Sequence, residues 1–376
     1  MTSSSSSHTS PFEWLSGGLF FGSGNAKAKH DKIESARDPL ALLRGLHNDL
    51  LALADPTKDD VQLLQTRLSR IRFLLYDERR SNQQTPRVAH DTMQGLTQPD
   101  SLLLEALLLK LPLLPFESRK DVAAVFNYLL VCGLDGTDAD LYADTMERFR
   151  SFIQQRFDAI LEPIVQHHRS AAPDVVLLCG SMYRACLKSD GLYQELVSST
   201  ARVDRYVLPF LDEFCHQPNF DVASDAMESL RVVLTAASAA EFLQRDYAAL
   251  FVDRFNPKLL SHTNYIIRRM ALQILISVLL TRSNYALMMQ YIVSKQNLIM
   301  VMLLLRDTSP HITFDAFHVF KIFVANPQKP PDIIKILTDN KVKLCKYLEG
   351  LHKDKESTDV QFRDEKALVI QTLEEL

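Results

Sequence analysis

Five segments of this sequence repeat one apolar pattern, and that repetition limits the possible folds more than any other feature. Each segment opens with polar or turn residues and then places apolar residues four and eight positions after a first aliphatic residue, and the last three segments have a further apolar residue five positions after it. The first aliphatic residues are Val122, Val175, Val222, Ile266 and Ile312. Their separations are 53, 47, 44 and 46 residues. The last three lie in or near the range of roughly 40 to 47 residues that is typical of armadillo and HEAT units.

The spacing within each segment is helical, and one or two further helical segments lie between successive repeats. Only 11 of the 376 residues are glycine, and β-branched runs of the kind found in strands are scarce. We therefore predict an all-α fold, an armadillo/HEAT-like right-handed helical-repeat solenoid of about six to seven units. Phe314, Phe317, Phe320 and Phe323 spread over a wide arc of one helix, so we expect neighbours on more than one side of it.

The predicted domain organisation is simple. Residues 1–36 are Ser-rich and polar apart from a cluster around Trp14, and we expect a disordered leader there. Residues 37–376 form the single repeat domain, interrupted by an acidic loop with the sequence "GLDGTDADLYAD". No secretory signal is apparent. The most apolar stretch, "SLLLEALLLKLPLLPF", contains Glu105, Lys110 and Pro112, so no membrane insertion is expected.

Charge and cysteine content exclude several classes of function. The net charge is -4 and the pI is about 6.3, so nothing in the overall charge favours binding to nucleic acid. The five cysteines are odd in number and show no CxxC or Cys/His ligand spacing. Reduced thiols in a cytoplasmic protein are expected, with Cys179 and Cys186 in the core.

The sequence offers little support for an enzyme. The stretch "GSGNAKAK" lacks the P-loop signature, and the acidic segment lacks the turn glycine and third ligand of an EF-hand. His167 and His168 are adjacent, without a metal-ligand partner one turn away, and a surface pair is expected. His318 is either a buried switch or a satisfied interior histidine, and the second interpretation is favoured. We predict no catalytic, cofactor-binding or metal-binding residues.

A solenoid without catalytic residues would act through its exposed helix faces. In "NYIIRRMALQILISVLLTR" the apolar stripe leaves Arg269, Gln273 and Arg282 outside it. Such residues suit a protein partner with acidic and apolar contacts, but they also fit an ordinary solvated face. The pattern alone leaves both interpretations open.

Several segments resemble the calcium-binding protein 39 family, also called mouse protein 25, whose fungal members act in cell morphogenesis. The most specific are "FDVASDA", "NYIIRRMALQIL", "FDAFHVFKIFVANP" and "QFRDEKALVIQTLEEL". The similarity runs in register from about Asp38 to the end of the chain. The Ser-rich leader and the enlarged acidic loop depart from the family pattern.

The resemblance implies an armadillo-like scaffold without catalytic activity. Such a scaffold activates sterile-twenty or germinal-centre-type protein kinases, alone or with a pseudokinase, and has a C-terminal pocket for a Trp-Glu-Phe tail. The positions that match kinase-facing residues are Phe220, Arg269, Arg282 and Tyr285, while Met302 matches the tail pocket. Gln273 stands where the family usually has lysine, and Tyr285 replaces a phenylalanine. We expect a cytoplasmic protein, enriched at sites of polarised growth or division, that is a monomer by itself. A generic armadillo-type adaptor for another protein is the alternative.

Overall fold

The structure, a computed structural model, describes residues 24–53, 57–76, 85–98, 102–131 and 139–376. Within these ranges every regular element is a helix, and none is a strand. The chain divides into two compact units, Met1–Leu96 and Thr97–Leu376. This division differs from the single domain predicted for residues 37–376. A boundary near Leu96 could not be recognised from the sequence, because helical periodicity continues on both sides of it.

The described residues of the first unit form four helices. They are α1 Gly24–Glu34, α2 Pro39–Ala52, α3 Lys58–Tyr76 and α4 Thr85–Leu96. Helix α2 packs on α3 and α4, while α1 packs on α3. Arg67 pairs with Asp49 at 2.7 Å, and a Cβ at Gly45 would lie 2.0 Å from the Arg67 guanidinium. A side chain at position 45 would therefore have to displace the Arg67 guanidinium from its place between α2 and α3.

The prediction of a disordered leader over residues 1–36 is wrong for Gly24–Glu34. This segment forms α1, because Ile33 is buried and His30 Nδ1 lies 3.0 Å from Thr66 Oγ1 on α3. A single buried isoleucine in a polar run is too weak a signal to read from the sequence. The rest of the predicted leader up to residue 23, with Trp14, lies outside the described residues.

The second unit is a longer series of helices. They are α5 Leu103–Leu109, α6 Phe116–Val131, α7 Ala139–Gln155, α8 Phe157–Gln166, α9 Pro173–Leu187, α10 Asp190–Val197, α11 Thr200–Tyr206, α12 Leu208–Asp212, α13 Phe220–Leu234, α14 Ala240–Arg245, the π-helix Ala248–Leu260, α15 Tyr265–Leu280, α16 Tyr285–Ile292, α17 Lys295–Leu304, α18 Pro310–Ala325, α19 Pro331–Gly350 and α20 Val360–Glu374. The part of the acidic segment from Ala139 to Asp144 belongs to α7 and is not a loop. Asp144 there pairs with Arg148 at 3.0 Å, one turn along α7.

The predicted repeats form a row of stacked helices in the second unit. Helix α6 packs on α9, α9 on α13, α13 on α15, α15 on α18, and α18 on α20. The first five of these helices are the five repeat segments, so the prediction of an all-α helical-repeat fold is confirmed. The handedness of the solenoid stays a prediction.

Buried positions refine the register of the repeats. Ile266 is 37% exposed, whereas Ile267 is 2% exposed and begins the buried stripe of α15. The marker Ile266 was therefore one residue too early, since two adjacent isoleucines cannot be told apart by hydropathy. With Ile267 as the marker, Val222, Ile267 and Ile312 lie 45 residues apart.

The phenylalanine-rich helix α18 is covered on several sides, as predicted. Phe317, Phe320 and Phe323 are completely buried. Phe323 contacts Tyr291 of α16 on one side, with ring centroids 6.2 Å apart. Phe314 and Phe317 both contact Phe362 of α20 on the other side, with ring centroids 5.2 Å apart.

Helix α20 packs on α18 and α19. The Lys366 ammonium group is buried, and it donates to the Leu351 carbonyl at 2.9 Å and pairs with Glu356. Lys321 of α18 pairs with Glu365 of α20. The charged C-terminal stretch is therefore a packed element of the fold, because its lysines are matched by carboxylates and carbonyls.

No single helix in the described part of the chain is long and apolar enough to cross a membrane. One bent pair, Tyr265–Leu280 with Arg282–Ile292, meets the length and composition requirement only when taken together, and its two parts meet at 80°.

Candidate protein-binding surface

The exposed side of α15 carries two of the predicted site residues. The Asn264 side chain caps this helix by accepting from the Ile266 amide at 2.8 Å. Arg269 is half-buried and Gln273 is exposed, and they stand one turn apart outside the buried stripe. The structure therefore places these two side chains together on an accessible helix face.

Arg268 and Arg269 are adjacent but differ in their attachments. Arg268 donates to the His262 and Thr263 carbonyls and pairs with Asp307 at 3.1 Å. Arg269 lies 3.8 Å from Asp315 of α18, and the buried Arg269 Nε and Asp315 Oδ2 atoms have no hydrogen-bond partner among the described residues. The Arg269 guanidinium is thus only loosely paired, and the 38% of its side chain that is exposed is accessible to a partner.

Arg282 and Tyr285 lie at the other end of α15. A short turn, Arg282–Asn284, follows α15, and the buried Asn284 side chain donates to the Val278 carbonyl at 2.9 Å. This bond fixes the turn that presents Arg282 and Tyr285 to solvent, where Tyr285 is 63% exposed. From Arg269 to Arg282 the distance along the helix axis is about 20 Å, so these residues form an extended surface and not one pocket.

Phe220 begins α13, the neighbour of α15 in the row. The Asn219 side chain caps this helix by accepting from the amides of Asp221 and Val222. Phe220 is 53% exposed at the first turn. An exposed phenylalanine at a rigidly capped helix start is a suitable apolar anchor for a partner.

Met302 lies in a separate pocket between α17 and α19, which we call the Met302 pocket. Its volume is about 830 Å³. Its lining residues are Ile299, Met302, Leu303, Leu305, Arg306, Asp307, Ile336, Asn340, Lys343, Leu344 and Tyr347. The Tyr347 hydroxyl donates to the Leu305 carbonyl and holds the two sides of the pocket together.

The Met302 pocket combines an apolar interior with cations. Ile299 and Leu303 are large apolar side chains exposed to solvent there, and Leu303 is 64% exposed. Arg306 and Lys343 add two positive charges, whereas the one carboxylate, Asp307, is already paired with Arg268. A pocket of this kind suits an aromatic side chain next to a carboxylate.

Comparison with known proteins decides the family. A family model described as Mo25-like matches residues 20–376. The chain belongs to the Mo25-like family. A human protein named calcium-binding protein 39-like is 35% identical over 276 residues, covering 73% of this chain and 76% of the relative. The conidiophore development protein hymA of Emericella nidulans is 27% identical over 378 residues, covering 95% of this chain and 92% of the relative.

A designed armadillo repeat protein, solved in complex with the peptide (KR)4, aligns with 74% of this chain and 99% of its own length. The TM-score is 0.42 at 14% sequence identity. The family resemblance inferred in the sequence analysis is confirmed by the Mo25-like family match and the named relatives. The structural similarity to the designed protein is too weak to add to it.

Several lining residues of the Met302 pocket were not identified from the sequence of this Mo25-like protein. Ile299 and Leu303 lie on α17, one turn apart, on the side opposite the buried Leu298 and Val301. The apolar character of α17 on every face was the available signal, because a helix of this kind is either fully buried or binds a partner. Lys343 and Tyr347 come from α19 and gave no sequence signal.

The expectation of a surface histidine pair at His167 and His168 is wrong. His168 is buried and stacks on Phe214 with ring centroids 5.0 Å apart, and its Nδ1 lies 3.0 Å from the Ile164 carbonyl. Burial lowers the pKa of His168 to about 4 and also lowers the pKa of His167. The helical spacing does not continue here, because α8 ends in a short turn that points His168 inward.

The two cysteines and the histidine singled out in the sequence analysis lie in the interior or at its edge. Cys179 and Cys186 are buried as predicted, and burial raises the pKa of the Cys186 thiol to about 12. His318 is half-buried near Glu365, and burial together with Lys321 lowers its pKa. In the described residues, no group of three or more His, Cys, Asp or Glu side chains is arranged to hold a metal ion.

Proposed function

We propose that this Mo25-like protein is a non-catalytic scaffold that binds and allosterically activates a kinase of the sterile-twenty or germinal-centre type, alone or in complex with a pseudokinase. The observation that carries the proposal is the position of Met302. The family resemblance assigned this residue to a tail pocket, and it lies in an open apolar pocket with two cations. Exposed Phe220 and Tyr285 supply apolar anchors for a second contact area.

The proposed mechanism is a population shift in the kinase. A kinase is active when its αC helix is positioned so that the strand lysine pairs with the αC glutamate, and this helix has two states. A rigid surface that contacts only the active state favours it by the difference in affinity. Roughly 3 to 5 kcal/mol of selective contact converts a mostly inactive kinase into a mostly active one. The stacked helices of the second unit supply the rigidity that this mechanism requires.

Gln273 bears on the choice of kinase. The family pattern has lysine at this position, and here the side chain is neutral and exposed. Arg269, one turn away, remains the cation of this helix face. A partner kinase therefore presents one carboxylate fewer toward α15 than a partner selected by two cations.

Kinase activation is the direct test. A purified germinal-centre-type kinase is titrated with the full chain, and phosphate transfer to a model substrate is measured. We expect increased phosphate transfer with the natural chain and about a tenfold rise in the half-maximal concentration for an Arg269→Ala, Tyr285→Ala double variant. Lys335→Ala is the matched control, since Lys335 is an exposed cation of α19 outside both contact areas. No stimulation at saturating scaffold would contradict the proposal.

The tail pocket has its own test, which needs no kinase. A fluorescent peptide ending in Trp-Glu-Phe is titrated with the chain, and its anisotropy is followed. Met302→Ala removes the flexible thioether from the pocket wall, and we expect about fivefold weaker binding. Arg269→Ala lies outside the pocket and should leave this affinity unchanged. Equal affinity in Met302→Ala and the natural chain would remove Met302 from the site.

We also propose a cytoplasmic role in cell polarity and morphogenesis, with enrichment at sites of growth or division. The name of the Emericella nidulans relative, a conidiophore development protein, supports this proposal. Imaging of the fluorescently tagged chain in growing fungal cells tests it. A uniform distribution throughout polarised growth would contradict the enrichment.

A further inference from the structure

A second pocket adjoins the Met302 pocket along α19, and we call it the His352 pocket. Its volume is about 780 Å³. It lies between the start of α18, at Pro310 and Thr313, and the end of α19, at Gly350 and His352. Asp307 and Tyr347 line both pockets, so the two pockets lie side by side, and we call them together the groove.

The walls of the His352 pocket are fixed by internal contacts. The backbone of His352 has a φ of 47°, in the left-handed region, directly after the end of α19. Its Nε2 lies 2.9 Å from Thr313 Oγ1, and its ring meets Phe314 edge-on with centroids 5.5 Å apart. A pocket whose walls are already positioned costs little ordering when it binds a peptide.

The two pockets differ in chemical character. Lys346 and Lys353 line the His352 pocket, both are exposed, and neither forms an ion pair with another described residue. Two carboxylates also line it. Asp307 is engaged by Arg268 and by the Ser309 amide, so Asp354 alone opposes the two lysines.

His352 does not add to this positive charge. Burial and the nearby Lys355 lower the pKa of its ring, so the ring is neutral at pH 7. The His352 pocket is therefore positive because of Lys346 and Lys353. An unpaired lysine is a mobile point charge that accepts carboxylates in several orientations.

We infer that the His352 pocket binds acidic residues that precede the aromatic end of the partner's tail. The inference rests on the proposed function, in which the Met302 pocket holds the tail's C-terminal residues. Because that end is a C-terminus, the tail continues only toward its N-terminal side. The groove that leaves the Met302 pocket leads past Tyr347 to Lys346 and Lys353, where carboxylates find unpaired cations.

The length of the groove sets the position of these acidic residues. From Asn340 to Gly350 the distance along α19 is about 15 Å. An extended peptide covers this distance in about four or five residues. We therefore assign the acidic residues to positions about four or five before the terminal aromatic residue.

The test compares three peptides on the full chain at low ionic strength. One is the tripeptide Trp-Glu-Phe alone, one carries four aspartates in the positions before it, and one carries four serines there. We expect the aspartate peptide to bind about fivefold more tightly than the serine peptide, as two exposed ion pairs provide. The gain should disappear in a Lys346→Ser, Lys353→Ser double variant, in which the tripeptide affinity stays unchanged.

A Lys188→Ser, Lys335→Ser double variant is the matched control, because it removes the same charge from exposed positions outside the groove. It should keep the fivefold gain. Equal binding of the aspartate and serine peptides, or a gain that survives in Lys346→Ser, Lys353→Ser, would overturn the inference while the tripeptide still binds. Loss of the gain in the control variant would also overturn it, since the attraction would then be non-specific. Failure of the tripeptide itself to bind would instead contradict the proposed tail pocket.

Discussion

Two levels of the helix row use an aspartate at the same repeat position in opposite ways. Asp225 of α13 stands three residues after Val222, and Asp315 of α18 stands three residues after Ile312. Asp225 receives a hydrogen bond of 2.7 Å from Arg184 of α9, which also donates to Ser229. Asp315 forms one loose ion pair with a described residue, Arg269, at 3.8 Å. A carboxylate at the same repeat position thus holds two helices together at one level and makes only a loose ion pair at the other.

The two ion pairs differ because the two arginines occupy different positions on their helices. Arg184 lies near the C-terminal end of α9 and reaches across a gap that Gly180 leaves open. Arg269 lies near the start of α15, on the exposed side, and only part of its side chain turns toward α18. Repeats with the same apolar core can therefore carry either structural or functional charges, because the core does not fix the polar positions.

Removing the aspartate at each level should have the largest and most unequal effect. Asp225→Asn removes the hydrogen-bonded counter-charge of the mostly buried Arg184, and we expect a loss of about 3 kcal/mol in the free energy of unfolding. Asp315→Asn should cost less than about 1 kcal/mol, since water can solvate Arg269. Urea denaturation of the two variants measures both values. Equal losses would show that the two levels do not differ.

Filling the gap beneath Arg184 should destabilise the chain by a smaller amount. A Cβ at Gly180 would lie 1.8 Å from Asp225 Oδ2 and 3.2 Å from Arg184, so Gly180→Ala must displace the ion pair. We expect a loss of about 2 kcal/mol, measured as a lower Tm. Gly350→Ala is the control, because no atom lies within 4 Å of the added methyl group. A Gly180→Ala variant as stable as Gly350→Ala would mean that the Arg184–Asp225 ion pair contributes nothing to stability.

Acid should lower the free energy of unfolding through His168, which lies near the Arg184–Asp225 ion pair. The folded-state pKa of about 4 is below the unfolded value of about 6.5, so the unfolded state binds the proton more strongly. This contribution to stability is complete above pH 6.5 and is lost as the pH falls toward 4. Between pH 8 and pH 5 we expect His168→Gln to lose about 1.5 kcal/mol less than the natural chain. Denaturation curves at both values test this, and parallel losses would exclude His168 as the cause.

Arg269→Ala should have the smallest effect on stability. The loosely paired side chain contributes less than about 0.5 kcal/mol to folding, although it supplies a donor to the proposed kinase contact. Arg231→Ala on α13 is a matched variant, since Arg231 is an exposed arginine paired with Glu228 on its own helix. Thermal denaturation should place both variants within a degree or two of the natural chain. A clear loss in Arg269→Ala alone would assign this residue a structural role.

The row of helices could be predicted because its signal is local. Each stacked helix carries its own apolar stripe, so the period of about 45 residues is visible without any knowledge of contacts. The position of Ile267 could not be resolved, because burial selects one of two equally apolar neighbours. His168 was misjudged since its environment is built by Phe210 and Phe214, more than 40 residues later in the chain.

The candidate site was only partly accessible to sequence reasoning. Met302 and the α15 residues followed from the family resemblance. The cations of the groove did not, since Lys343 and Lys346 come from a polar helix in which any face looks solvated, and Lys353 lies in the polar turn that follows it. They gain meaning only where α19 meets α17 and the start of α18.

The loose pairing of Arg269 also has an evolutionary consequence. Because Arg269 is only loosely paired, a substitution there hardly affects folding and is not removed by selection for a stable chain. Under the proposed function, a duplicated gene could therefore change its partner through single substitutions at Arg269 or Gln273, each of which leaves a folded protein. A substitution of Arg184 offers no comparable possibility, because it would break the Arg184–Asp225 ion pair and destabilise the chain.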